Sequence, residues 1–430
     1  MSWMMTSPTK ITMSKEYTVF PIKNDSACVY KWAWSTVKLY TGTASSCHRV
    51  VPVKIDINDF DNFHNTTPVI EDRVKMMNGE WPVDRGCEYC KKFEDSGGIS
   101  DRLYHNEIPG LTPGDFSADP TSPVTPSILE VYLHNTCDLS CVYCIPQHSS
   151  KINAELKKFG PDLVGQKYLT IEKDRNIYHQ KFFEWLTVNG DKLMRLSVLG
   201  GEPLLQKEFW ELLEQLTTER HPNLELTINS NLNCDQQTIE RFVNLAHTLV
   251  KDRRLKRIDI GCSLDCWGKP AEFVRHGLDL NNWQRNFEFL INHKWLYITV
   301  HHVITALTIK TAIDLQRKIT EYKKKNKSIV QAYHFLDGPT TEVYHPGIFG
   351  YDFFKNDIDQ LLQEYPETQH WDKTAKGRLI GVAKMLQSSK IDIPRLKKLQ
   401  ETLDMIDVRR NTNWKNVFPE IAQFFKEHNI

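Results

Sequence analysis

The sequence predicts an α/β protein built on a parallel sheet, and three observations carry that reading. Strand-like runs recur six times between Ile128 and Leu336, with helical patterns between them. The helical segments are one-sided: in Lys207 to Arg220, Phe209, Leu212, Leu213 and Leu216 recur at i, i+3, i+4 and i+7, which lays a single apolar stripe against a sheet. Strands separated by helices cannot close as hairpins, so they join in parallel through crossovers.

Taken in order, residues 1–22 read as a poorly ordered tail. Residues 23–108 read as an irregular module carrying Cys28, Cys47, Cys87 and Cys90. The stretch 109–127 holds prolines at 109, 113, 120, 123 and 126; proline fixes φ and lacks a backbone donor, so this is a linker. The six runs of the 128–336 domain are Ile128 to Asn135, Leu193 to Leu199, Leu224 to Asn229, Arg257 to Leu264, Leu296 to Thr305 and Ser328 to Leu336. After Cys144 a long loop is expected to about Lys173, on the same side as the three cysteines described below. Residues 337–430 read as a loop from Asp337 to Tyr351 and then a helical extension, with Pro394 and Pro419 suited to first turns.

A chain of 430 residues can bury a large core in two or three domains. Lysine plus arginine equals aspartate plus glutamate, 54 against 54, so no global positive field draws the protein to nucleic acid. The basic runs Lys251 to Arg257 and Lys323 to Lys327 read as solvated helix ends and connectors. The Met-rich start lacks the apolar core of a signal peptide and no stretch reaches bilayer-spanning length, so a cytoplasmic protein without membrane contact is expected. In that reducing setting, ten cysteines grouped in short motifs point to metal rather than to disulfides.

Cys137, Cys141 and Cys144 fall within eight residues just after the first strand. Thiolates are soft ligands for zinc, copper(I) or iron–sulfur clusters. A four-iron cluster wants four terminal ligands, so three local thiols either recruit a distant fourth or leave one iron open. A zinc site completed by His134 or His148 is the alternative. The four thiols Cys28, Cys47, Cys87 and Cys90 would fill a tetrahedral metal or complete a cubane cluster, and their spacing does not choose between the two.

The second strand ends in Leu199-Gly200-Gly201-Glu202-Pro203, where a glycine pair lets backbone approach a ligand and Glu202 can accept from an ammonium. The third ends at Asn229-Ser230-Asn231 and the fourth at Ser263-Leu264-Asp265. Ligands of parallel sheets and barrels bind at that end. Cys234, Cys262 and Cys266 read as buried small hydrophobes, while His301, His302, His334 and His345 are placed to face a cavity without a catalytic role.

The C-x3-C-x2-C spacing, with Tyr143 before the last cysteine, resembles the signature of the radical S-adenosylmethionine (SAM) enzymes. The resemblance implies a partial (β/α)6 TIM-like barrel over 128–336, with the Cys-rich module before it and the helical extension after it. It implies a 4Fe-4S cluster on Cys137, Cys141 and Cys144 whose open iron chelates SAM, and reductive cleavage of SAM to a 5′-deoxyadenosyl radical that abstracts hydrogen from a substrate. Gly200, Gly201, Glu202 and Pro203 would serve the SAM amino group, Tyr143 the adenine, and Asn231, Ser263 and Asp265 the ribose hydroxyls and carboxylate. The N-terminal module, with Glu94, Gly97, Ser100 and Arg102 after its C-x2-C, resembles the auxiliary-cluster modules of twitch or SPASM type; this implies a second iron–sulfur cluster on Cys28, Cys47, Cys87 and Cys90, zinc being the alternative. Leu403-Asp404 to Arg409 and Val417-Phe418-Pro419-Glu420 resemble the end of such proteins. An oxidoreductase or maturase acting on a peptide or protein side chain is implied first, with flavodoxin or ferredoxin as reductant. A tailoring enzyme for a small metabolite, such as an amino sugar or nucleoside, stands second, and a non-catalytic zinc-stabilised binding module third.

Overall fold

The computed structural model describes residues 19–430 apart from 96, 98, 99, 109, 337–340 and 368. Its sheet contains β1 (Trp34–Lys38), β2 (Thr43–Ser45), β3 (Val53–Lys54), β4 (Ile128–Tyr132), β6 (Arg195–Leu199), β7 (His221–Ser230), β8 (Leu255–Ser263), β10 (Tyr297–Ile304) and β11 (Val330–Phe335). A separate two-stranded ribbon pairs β5 (Ser140–Cys141) with β9 (Arg275–His276). Across the large sheet the order is β11-β10-β8-β7-β6-β4-β1-β2-β3, and the six strands from β4 to β11 are parallel neighbours in chain order. A helix follows most of them, which is the winding of a partial (β/α)6 barrel.

Alternation along these strands sorts two faces. Leu129, Val131, Leu196, Val198, Leu226, Ile228, Ile258 and Ile260 turn outward into the main core, against helices such as Lys207–Thr218, whose Phe209, Leu212, Leu213 and Leu216 are fully buried. Each such burial is worth roughly 1.5–3 kcal/mol. The opposite, concave face is polar. Register places Glu130, Ser197, Thr227 and Asp259 in one layer, and Arg195, Glu225 and Arg257 in the layer below.

The six expected strands are all present, within three residues at either end. The N-terminal module departs from its irregular reading: β1 joins the sheet parallel to β4, Trp34 opposite Ile128 through Lys38 opposite Tyr132. Five residues, one of them lysine, are too short a run for alternation to stand out from loop. Residues 1–18 of the expected tail lie outside the described residues, and Phe20 is buried against Trp32 and Phe116. Between Asn106 and Ile128 no described residue is in a helix or strand, yet Leu111 and Val124 are buried in the N-terminal core, the latter held by both amide atoms of Asn65.

Two basic runs are only partly solvated. Arg257 is buried between Glu225 and Asp259, and Lys323 is buried on Asp372 at 2.5 Å. The first lies on the polar lumen face and the second in a helix–helix seam, and charge counting along the chain registers neither. The loop after Cys144 contains the helix Ser150–Phe159. The C-terminal extension is helical, with Pro394 and Pro419 in first turns; residues 337–340 of the loop before it are outside the described set. All ten cysteines are free thiols, and among the described residues no helix is long and apolar enough to cross a membrane.

Candidate functional site

The site is built where β4 empties into the cysteine loop. Cys137 donates its backbone N–H to Ser150 Oγ at 3.1 Å, Ser149 Oγ donates to the Leu139 carbonyl at 2.7 Å, and Ser150 N–H donates to the Asn135 carbonyl at 2.7 Å. The first turn of helix Ser150–Phe159 therefore grips the loop. On its other side β5 pairs with β9, Cys141 opposite Arg275, and Val142 donates to the Val274 carbonyl at 2.8 Å. The Leu139 N–H points at Cys137 Sγ at 3.5 Å, and Cys144 closes a turn onto the Cys141 carbonyl at 3.0 Å. Burial pushes all three thiols up; Cys141 and Cys144 add to the effect at Cys137, as expected of thiols gathered on one loop. Around Cys141 and Cys144, Arg275 and Arg410 work in the opposite direction.

The glycine pair after β6 docks directly onto this loop. Gly201 N–H donates to His148 O at 3.1 Å and Glu202 N–H to Thr136 O at 2.7 Å. Gly200 and Gly201 have φ of +79° and +58°, and a Cβ on Gly201 would lie 2.2 Å from the Thr136 carbonyl oxygen, so this approach excludes any side chain. Glu202, 1% exposed, accepts from Ser230 Oγ at 2.8 Å and from the N–H groups of Asn231 at 2.6 Å and Leu204 at 3.2 Å. Burial pushes its pKa up to about 7 against these donors. Among the described residues no cation is a hydrogen-bond partner of Glu202, and an ammonium brought here would offset the desolvation of the carboxylate. Pro203 opens the short turn that follows.

Asn231 donates to Asp138 Oδ1 at 2.8 Å, and Asn233 donates to Asp138 Oδ2 at 2.6 Å, so Asp138 ties the end of β7 to the cysteine loop. Ser263 ends β8 in register with His301. Asp265 follows the end of β8 and has a full set of partners within the chain. Its Oδ2 accepts from Tyr143 Oη at 2.6 Å and Arg275 Nε at 3.0 Å, and its Oδ1 accepts from Arg275 Nη2 at 2.9 Å and Val303 N–H at 2.9 Å. Four donors fill the four lone-pair directions of this carboxylate, and through Tyr143 Oη it ties the cysteine loop to Arg275 and Val303. Arg275, Ser149, Ser150 and Asp138 escaped sequence reasoning. Only the Ser149-Ser150 pair, ahead of Ile152 and Leu156, offered a helix-start signal.

Facing the lumen, Thr227 Oγ1, Asn229 Oδ1 and Asp259 Oδ1 are buried atoms with no hydrogen-bond partner among the described residues, and His301 Nδ1 lies 2.9 Å from His334 Nε2. Burial pushes the His301 pKa down to about 3, so this pair is neutral at ordinary pH.

Cys28, Cys47, Cys87 and Cys90 line one small cavity with Lys31, Arg49 and Arg102. Cys28 precedes the turn Tyr30–Ala33, Cys47 follows β2, and Cys90 sits in the helix Glu88–Asp95. Gly86, at φ +106°, passes so close to Arg49 that a Cβ would lie 2.4 Å from its carbonyl oxygen. The expected Glu94, Ser100 and Arg102 form one cluster: Arg102 Nε donates to Glu94 at 3.0 Å, Ser100 donates to Glu94, and Arg102 Nη1 donates to Ala27 O at 2.7 Å beside Cys28. In neither thiol group are three or more ligating side chains closed to metal-binding spacing among the described residues. The donor sets nonetheless fit soft metal, three thiols on one loop and four lining one cavity.

No family model matches the chain. A Probable GTP 3',8-cyclase of Methanocaldococcus jannaschii is 31% identical over 137 residues, 32% of this chain and 36% of that protein, so the chain spans about a third of the length of the curated relative it matches. Among solved structures, anSMEcpe with bound AdoMet and Kp18Cys peptide is 18% identical with a TM-score of 0.35, over 55% of this chain and 58% of that one. Streptococcus suis SuiB bound to precursor peptide SuiA is 13% identical with a TM-score of 0.34, over 91% and 74%.

Proposed function

We propose that this chain is a radical SAM enzyme in which Cys137, Cys141 and Cys144 hold a 4Fe-4S cluster and the turn Gly200-Gly201-Glu202-Pro203 receives the amino group of SAM. The observation that supports the reading is the docking of that turn on the cysteine loop, which sets beside the three-cysteine loop a buried carboxylate whose partners among the described residues include no cation. When bound, the cluster and SAM supply one-electron cleavage of a sulfonium and a carbon radical able to abstract hydrogen. The chain's own part is positional. Ser149, Ser150 and β9 fix the loop, Asp138 orients Asn231 and Asn233, and the two glycines remove side chains from the approach. Asn231 and Ser263, at the carboxyl ends of β7 and β8, are the polar groups we assign to SAM's ribose and carboxylate.

We assign the N-terminal cavity of four thiols to a second iron–sulfur cluster, and the substrate to a peptide or protein side chain that enters the polar lumen, with a flavodoxin- or ferredoxin-type reductant. A nucleotide or other small metabolite is the second reading, motivated by the relative named as a GTP 3',8-cyclase. Iron, sulfide and 5′-deoxyadenosine are measured on anaerobically reconstituted protein with dithionite and SAM, beside a variant with Cys137, Cys141 and Cys144 changed to alanine. Equal iron and equal SAM cleavage in the two would defeat the assignment. Candidate peptides and nucleotides added in parallel separate the two substrate readings by which one raises 5′-deoxyadenosine and changes mass.

A further inference from the structure

The helix Ile393–Arg410 ends against the cysteine loop. Arg410 Nη1 donates to the Ser140 carbonyl at 2.7 Å, across 270 residues of chain. Its Nε and Nη2 donate to Glu155 at 2.9 and 3.4 Å, on the same helix whose first turn holds Cys137 and Leu139. The pair is nearly closed to solvent, Arg410 being 6% and Glu155 14% exposed. Arg409 adds a bond from Nη2 to Pro161 O at 3.0 Å, just past the end of that helix. A last-turn arginine could have remained in water at little cost. Here it is desolvated, paired with Glu155, and bonded to the carbonyl of the residue preceding Cys141, and taking such a charge out of water carries a desolvation cost.

A charge pair this close to a buried redox centre also acts on it. A guanidinium favours the form carrying the added electron and a carboxylate disfavours it, and in a dry setting neither effect is screened away. We propose that Arg410 is a positioning residue of the cofactor site, clamping the Ser140 carbonyl and, with Glu155, setting the charge against the Cys141–Cys144 turn, so that the C-terminal helix governs retention and reduction potential of the centre held there. The inference rests on the radical SAM reading of the cysteine loop.

The test uses full-length protein, reconstituted anaerobically without SAM, as wild type, Arg410→Gln, Arg410→Lys and Glu155→Gln. Iron and sulfide per chain, thermal midpoint and circular dichroism are recorded, and the one-electron midpoint is followed by electron paramagnetic resonance. The relevant signal is the one lost in the triple cysteine variant. Arg410→Gln is expected to shift the reduction equilibrium about tenfold toward the oxidised form, about 59 mV for one electron, or to lose that iron while keeping its fold. Glu155→Gln should shift it the opposite way, and Arg410→Lys should stay near wild type. Should Arg410→Gln fail to fold, the sign of the Glu155→Gln shift decides. Reduction equilibria within twofold of wild type at full iron content, or Glu155→Gln moving toward the oxidised form, would overturn the inference. Wild-type protein that takes up no centre on the loop would defeat the radical SAM reading itself.

Discussion

The carboxylate of Glu202 accepts the backbone N–H of Asn231 at 2.6 Å, locking the turn after β6 to the end of β7. Its other donors are a hydroxyl and a second amide N–H, and burial pushes its pKa from the ordinary 4.5 up to about 7. A carboxyl whose folded pKa is raised adds stability that is complete below its unfolded pKa and is lost as pH climbs through the folded one. Metal-free wild type should therefore lose about 3 kcal/mol between pH 4.5 and 7 relative to Glu202→Gln, whose amide does not titrate there. Urea unfolding at a series of pH values checks this, and parallel stability profiles for the two proteins would refute it.

Asp265 is a second buried carboxylate, with its charge matched by Arg275. Tyr143→Phe removes one of its four donors and should cost about 1–3 kcal/mol. Asp265→Asn leaves the Arg275 guanidinium buried without a counter-charge, a change that costs about 3–5 kcal/mol. Because both act on one network, the double variant should be less destabilised than the sum of the singles. Strict additivity in denaturant melts would show that Tyr143 and Asp265 do not act together.

Gly201→Ala tests the backbone contact between the two motifs. The new Cβ would stand 2.2 Å from Thr136 O at a φ of +58°, so either the turn or the cysteine loop must move. A left-handed alanine alone costs roughly 1–2 kcal/mol, and displacing the carbonyl adds to it. The variant should show a lowered thermal midpoint together with reduced iron on the loop. Wild-type behaviour in both measurements would mean that the contact is slack.

The barrel was legible because its strands are buried on the outer face and its helices carry apolar stripes, so period alone places them. Cys137, Cys141 and Cys144 and the Gly200-Gly201-Glu202-Pro203 turn stand out because each lies in one short run of sequence, whereas in the N-terminal set only Cys87 and Cys90 are close and the cavity that gathers all four thiols comes from the fold. Arg275 and Arg410 were not legible, since each acts through an element 130 to 270 residues away from its partner in the cysteine loop. At Asp265 the sequence is silent about its four donors. A carboxylate at a strand's carboxyl end has the same sequence appearance whether it meets a ligand or four donors of its own chain.

The two thiol sets belong to different cores: Cys28, Cys47 and Cys87 pack with Trp32 and Leu111 in the N-terminal core, whereas Cys137, Cys141 and Cys144 pack with the barrel core. A ligand's loss in one should therefore leave the other metal centre in place. Cys87→Ser with Cys90→Ser removes two of the four thiols that line the N-terminal cavity, too few remaining for a tetrahedral site. Iron per chain should fall by about half if both centres are 4Fe-4S, while SAM cleavage by dithionite-reduced protein persists. If the N-terminal metal is zinc, the same variant loses zinc and keeps all its iron. The triple variant at 137, 141 and 144 should show the reverse pattern, metal retained in the N-terminal cavity and no SAM cleavage. Metal analysis of both variants decides the matter, because a single centre shared between the two sets would be lost entirely from each.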